Sequence, residues 1–283
     1  HPSVGSRRVF VSVSTNAVDF VESRIHYLYH DVIQVIHLTP SHGPLQGRTL
    51  ISIRGRGFIQ GASLKCRFHT AAVEAVYVSS TTVNCTTPAN PVGVVTVEVS
   101  NNGIDFSRSD IYFNYISTVS VMVLAPSVGP HLGSSVVSVL GVGMLPGSTC
   151  RFGSIASLAA TMISSGELLC VSPRQNPGSY PLEVTSNAQD FTGDGVEFKY
   201  VAVWFVSSAW PMQGAIEGGS HVEVRGTGFV QSDGLVCRFG ENTVPVAARF
   251  VSESLVECRS RARRVAGNVT LEVSINNQDN FFF

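Results

Sequence analysis

The sequence predicts an all-β chain of repeated sandwich modules, on three observations. A block of sequence recurs at a near-fixed interval, short segments alternate apolar and polar residues with a period of two, and no sustained 3.6-residue apolar periodicity runs through the 283 residues. The recurrence is plain in PSHGPLQGRTLISIRGRGF from Pro40, PSVGPHLGSSVVSVLGVGM from Pro126 and PMQGAIEGGSHVEVRGTGF from Pro211, with identical Pro-to-Gly spacing. Each copy runs on into Cys-Arg-Phe, at Cys66, Cys150 and Cys237, giving periods of 84 and then 87 residues. Ile51 and Ile53 fall on one face of a strand, with Leu50, Ser52 and Arg54 on the other. Roughly seven such strands per copy, separated by Gly, Pro and Asn turns, read as a β-sandwich of immunoglobulin type.

Taken in order, residues 1–31 are the last two strands of a preceding repeat, because VFVSVSTNAVDF from Val9 matches VTVEVSNNGIDF from Val95. Residues 32–116 and 117–201 are complete copies, closing with DIYFNYI from Asp110 and VEFKYV from Val196. Residues 202–283 form a copy that stops at NNQDNFFF and is expected to lack its final strand. The connections Tyr115-Ile116-Ser117 and Tyr200-Val201-Ala202 are very short and predict stiff joints.

Composition narrows the function classes. The chain is 44% hydrophobic and only 14% charged, with net charge -1 and mean hydropathy +0.21; an average domain is about 25% charged. Nucleic-acid binding wants a basic stripe, and disorder wants low hydrophobicity with high charge; neither fits. The longest apolar run, YVAVWFV from Tyr200 to Val206, falls far short of the roughly 18 residues of a membrane span. The chain opens on HPSVGSRR, so any targeting segment is expected to have been removed or to lie outside it.

Six cysteines allow fifteen connectivities. Their recurrence within each copy makes Cys66–Cys85, Cys150–Cys170 and Cys237–Cys258 the economical pairing, with three pairs of buried thiols as the alternative. Disulfides imply an oxidising, extracellular or cell-surface location. Two N-x-S/T sequons agree with it, at Asn84 and Asn268, and strand alternation should turn both asparagines outward as acceptors of N-linked glycans.

Catalytic and metal chemistry find little support. Gly55 and Gly57 resemble the start of a phosphate-cradling loop, yet no helix follows and the pair recurs at Gly141/Gly143 and Gly226/Gly228, as turn glycines would. His26 and His30 are four residues apart, a helical metal spacing that spans roughly 13 Å in a strand. His37, His42, His69, His131 and His221 are scattered, with no acidic partner pattern. Asp19, Asp105, Asp190 and Asp279 each follow an asparagine by three residues, which suits a turn better than the six to eight oxygens of calcium. Glu98, Glu183 and Glu272 read as one outward strand position. Arg259, Arg261, Arg263 and Arg264 concentrate charge in a solvated turn or a patch for an acidic glycan or partner. No nucleophile–base set stands out, so no enzyme and no cofactor are expected.

The PxxG opening, the GxGF after the second strand, the Cys-Arg-Phe, a proline after the second cysteine at Pro88 and Pro173, and the VEVS strand with its Asn-Asp turn resemble the IPT/TIG domains. These immunoglobulin-like modules occur in plexins, the hepatocyte growth factor receptor, large secreted or ciliary surface proteins, and Rel-type transcription factors. The third copy departs from the pattern, since SRARRV follows Cys258 without a proline. The resemblance implies the sandwich, and says little of activity. Together these readings predict a non-enzymatic extracellular structural or adhesive repeat protein. It is expected to be a rigid stalk or a fibril subunit, self-associating head-to-tail through unpaired edge strands or adjoining repeats of a longer chain. The alternative is the stalk of a plexin-like receptor ectodomain that binds a protein ligand.

Overall fold

The computed structural model describes residues 7–157, 159–241 and 243–282; residues 1–6 of the predicted tail, Leu158, Asn242 and Phe283 lie outside the described residues. The chain divides into two compact units, His1–Thr118 and Val119–Phe283.

The first unit opens with an antiparallel hairpin of β1 (Arg7–Val13) and β2 (Val21–Tyr29). The first repeat follows as β3 (Gln34–Thr39), β4 (His42–Pro44), β5 (Leu50–Arg56), β6 (Lys65–Phe68), β7 (Ala71–Ser79), β8 (Thr82–Thr86), β9 (Gly93–Ser100) and β10 (Tyr112–Ile116). Its strands run in the order β3-β5-β8-β7-β6-β9-β10-β4, the long β7 bridging the two faces of the sandwich. Period-two alternation buries one side of each central strand. Ile51, Ile53, Phe68, Val83, Val97, Val99, Phe113 and Tyr115 make one core, each contributing about 1.5–3 kcal/mol by leaving water. Phe113 meets Phe68 and Tyr115 edge-on, with ring centroids 6.1 and 4.9 Å apart.

The second unit holds both remaining repeats. The second has β11 (Ser120–Ala125), β12 (Val128–Pro130), β13 (Val136–Val142), β14 (Thr149–Phe152), β15 (Ile155–Ala156), β16 (Ala160–Ser164), β17 (Glu167–Val171), β18 (Gly178–Thr185) and β19 (Glu197–Val201). These form sheets β11-β13-β17-β16 and β12-β19-β18-β14-β15. The third has β20 (Phe205–Trp210), β21 (His221–Thr227), β22 (Val236–Phe239), β23 (Val246–Ala247), β24 (Arg249–Ser252), β25 (Leu255–Arg259), β26 (Leu271–Ser274) and β27 (Asn280–Phe282), in sheets β20-β21-β25-β24 and β23-β22-β26-β27.

The paired glycines have divided roles. Gly57, Gly143 and Gly228 take positive φ (81°, 76° and 78°), where side chains are strained. Gly55, Gly141 and Gly226 lie against the carbonyls of Gln34, Ser120 and Phe205, leaving no room for a Cβ. Beside each runs a register shift in the opening strand pair, at Val35/His37, Val121/Val123 and Val206/Ser208, so the glycine accommodates a β-bulge.

The first two residues of each segment read as a linker are strand, since Ile116 ends β10 and Val201, 7% exposed, ends β19, leaving Ser117 and Ala202 outside. The third repeat ends on a further short strand, β27, at another place than the final strands of the first two. β27 pairs with the C-terminal half of the closing strand, Val273 opposite Phe281, whereas β10 and β19 pair with the N-terminal halves of β9 and β18. Among the described residues no strand takes the place of β10 or β19 in the third repeat, and β26 is accordingly four residues long where β18 has eight.

Burial also marks two tyrosines. Desolvation pushes the Tyr115 hydroxyl, which donates to the Pro88 carbonyl at 2.9 Å, up to about 12 and raises that of Tyr200 further. A phenol that stays neutral in the fold and ionises near 10 in the open chain contributes stability that is full below pH 10. That share is lost as pH rises through 10 toward 12. Spectrophotometric titration at 295 nm should therefore show two of the seven tyrosines ionising only together with alkaline unfolding; Tyr115→Phe should remove one of them. Seven tyrosines titrating as a single step near 10 would contradict it.

Candidate functional site

Three disulfides, Cys66–Cys85, Cys150–Cys170 and Cys237–Cys258, each tie the two sheets of one repeat together, with every sulfur buried in a core. The sequons fall differently. Asn84 sits in the middle of β8, half-buried between Ser52 and Val76, with Val83 and Cys85 turned inward as alternation requires. Asn268 is fully on the surface, but it precedes β26 in an irregular segment, so strand alternation is not what exposes it.

The recurring arginine and glutamate turn out to be partners, which corrects the outward reading of the glutamates. β6–β9, β14–β18 and β22–β26 place Arg67 opposite Glu98, Arg151 opposite Glu183, and Arg238 opposite Glu272. Contacts are 2.6, 2.7 and 3.3 Å, and Glu272 is only 2% exposed. Arg67 and Arg151 are also covered by Phe106 and Phe191, with guanidinium carbons 4.1 and 3.7 Å from the ring centroids. The signal was present in the sequence as an Arg and a Glu at fixed places in all three copies.

The Asn-Asp turn has one geometry throughout. The side-chain oxygen of Asn16, Asn102, Asn187 or Asn276 accepts the backbone N–H of the aspartate three residues on, at 2.8–2.9 Å. Its Nδ2 donates to that aspartate's Oδ2 at 2.7–2.8 Å. In the third repeat this turn does more. Asn276 donates to the Val128 carbonyl at 3.2 Å, and the Ser135 hydroxyl donates to Asp279 at 2.6 Å. Gln278 accepts the N–H of Val136 at 3.0 Å and donates to its carbonyl at 2.8 Å, as a neighbouring strand would. The third repeat is thereby bolted to the opening strands of the second. Val128 and Val201 of the second repeat complete the core of the third, around the buried Trp204, whose Nε1 donates to the Val273 carbonyl at 2.8 Å.

The remaining candidates do not converge. His26 packs on Phe10, His37 bonds Thr39, and His221 lies 3.5 Å from Glu257. Arg261 donates to the Val244 carbonyl and the Arg263 N–H to Ile216, so the arginine cluster is in part a backbone-anchored turn. His131 is the exception: it borders a cleft of roughly 640 Å³ in the second repeat, together with Arg174, Gln175, Asn176 and Tyr180. Sequence reading missed this grouping because its members lie on three separate segments.

Comparison with known proteins places this geometry. The model of the IPT/TIG domain matches residues 33–115, 118–200 and 205–283. Human fibrocystin-L is 24% identical over 244 residues, covering 80% of this chain and 5% of that protein. Human plexin-B1 is 27% identical over 212 residues, covering 68% of this chain and 10% of that protein. The chain thus spans a tenth or less of the length of either relative. Among solved structures, the full extracellular region of plexin A4 aligns over 88% of this chain and 23% of its own, with 16% identity and a TM-score of 0.45.

Proposed function

The chain belongs to the IPT/TIG family, and from that premise we propose that it is a load-carrying run of modules in the stalk of a plexin-like ectodomain, outside the cell. The three disulfides and the relatives fit an extracellular or cell-surface location. The observation that carries the stalk reading is the joint between the second and third repeats. A shared core around Trp204 and the four bonds of the Asn276–Asp279 turn leave only Ala202 and Val203 between β19 and the next repeat's core. Such a joint holds one module at a fixed angle to the next. The role is to present a binding element at a set distance, with N-linked glycans at Asn84 and Asn268 shielding a surface poor in charge.

The relatives favour this stalk over the head-to-tail surface fibril that the edge strands alone suggest. Secreted from eukaryotic cells, the chain should run as a monodisperse monomer in sedimentation and electron microscopy, and peptide-N-glycosidase should remove up to two glycans. Filaments growing with concentration would favour the fibril and sink the stalk reading.

A further inference from the structure

The second repeat differs from its neighbours at one end. In all three repeats a backbone N–H in the loop after the second cysteine donates to a carbonyl in the turn after the opening glycine: Asn90 to Leu45, Gln175 to His131, and Arg263 to Ile216, at 3.0, 3.0 and 2.7 Å. That common frame brings equivalent side chains to one place. Where the others carry Leu45 and Ile216, the second has His131; where they carry Ala89 and Ala262, it has Arg174; where they carry Val95 and Val269, it has Tyr180.

Two of the polar atoms so gathered are buried without a hydrogen-bond partner among the described residues: Nε2 of Gln175, a residue 9% exposed, and Nδ1 of His131. A buried polar group left unpaired costs about 1–3 kcal/mol, a cost that a bound ligand would remove. Arg174 is exposed and forms no ion pair among the described residues. Gly153, at φ +61°, lies against two of these side chains: a Cβ there would stand 3.1 Å from Tyr180 Cδ1 and 3.6 Å from Gln175 Nε2.

We propose that this cleft binds a carboxylate-bearing sugar residue of an acidic glycan. A guanidinium is a planar fork matched to a carboxylate, and one such group suits a single negative charge better than a phosphate's two. Gln175, His131 and Asn176 supply the hydrogen bonds that sugar hydroxyls require. Tyr180 offers an aromatic surface for the C–H groups of a pyranose ring. The volume suits one or two sugar residues. The proposal goes beyond the stalk reading and stands or falls independently of it.

The test titrates the 283-residue chain with 3′-sialyllactose, a hyaluronan tetrasaccharide and neutral lactose, read by saturation-transfer NMR and calorimetry. At least one acidic sugar should bind with a Kd on the order of 1 mM, and lactose should not. Arg174→Ala and Gln175→Leu should each weaken binding about tenfold, the fold-change of one lost charge-assisted or buried hydrogen bond. Tyr180→Val, which installs the residue of the other two repeats, should weaken it similarly, with near-UV circular dichroism unchanged in all three. Binding of sialyllactose alone identifies a sialic acid, of hyaluronan alone a uronic acid, and of both a site that reads the carboxylate. Lactose binding as strong as the acidic sugars, no transfer to either acid, or wild-type affinity in Arg174→Ala would overturn the proposal.

Discussion

Replacing Trp204 with alanine is expected to lower the stability of the Val119–Phe283 unit by about 4 kcal/mol, the upper range for deleting a buried aromatic. Three losses combine. The side chain is fully buried, so its removal opens a cavity between the second and third repeats, where Val128, Val201 and Val273 now touch it or its neighbours. The Val273 carbonyl loses its indole donor. The cavity also loosens the seat of the Asn276–Asp279 turn. Urea unfolding followed by circular dichroism measures the total, and Trp204→Phe helps separate the parts, since it gives up the hydrogen bond, worth about 1 kcal/mol, and only a part of the packing. Fluorescence offers an independent check. The other tryptophan, Trp210, is 71% exposed, so Trp204→Ala should leave only red-shifted emission. A loss below about 1 kcal/mol for Trp204→Ala would mean that the two repeats do not share this core.

Removing the Cys150–Cys170 disulfide by a double alanine substitution should cost about 3 kcal/mol. The bond closes a loop of 20 residues, and the chain entropy released to the unfolded state accounts for that figure. The loss should appear as a lower urea midpoint for the second unit, while the first unit, stapled by Cys66–Cys85, keeps its own. Reductant opens Cys237–Cys258 as well and should therefore take the second unit of the wild-type chain below the double variant. A double variant as stable as wild type would show that the thiols of the secreted chain are not joined.

Much of this fold is legible in the sequence because it is written three times. The recurring Pro-to-Gly block marks each sandwich, the cysteine pairs mark each staple, and alternation correctly turns Val83 and Cys85 inward. What alternation misses are the cases where a neighbour covers the outward face. Glu98 and Glu183 alternate as surface residues would, yet an arginine opposite and a phenylalanine from the following turn close over them. The short strand β27 at the end of the third repeat is a different case. Strand length there follows from which partner is present, and β26 shortens where β18, with β19 beside it, does not. The cleft of the second repeat is hidden in another way again: His131, Arg174 and Tyr180 are unremarkable singly, and only the frame that joins their loops makes them one surface.

One pairing described above bears on how such a module answers a pull. β4 and β12, near the start of the first and second repeats, lie parallel to the final strands β10 and β19, with His42 to Pro44 beside Asn114 to Ile116 and Val128 to Pro130 beside Lys199 to Val201. Tension entering at the head of a repeat and leaving at its tail draws these two strands past each other along their length. The hydrogen bonds of this parallel pair are then strained together in shear. A repeat with this clasp yields at a higher force than one whose terminal strands open like a zip, so the force a module withstands depends on three residues at either end as well as on the depth of its core.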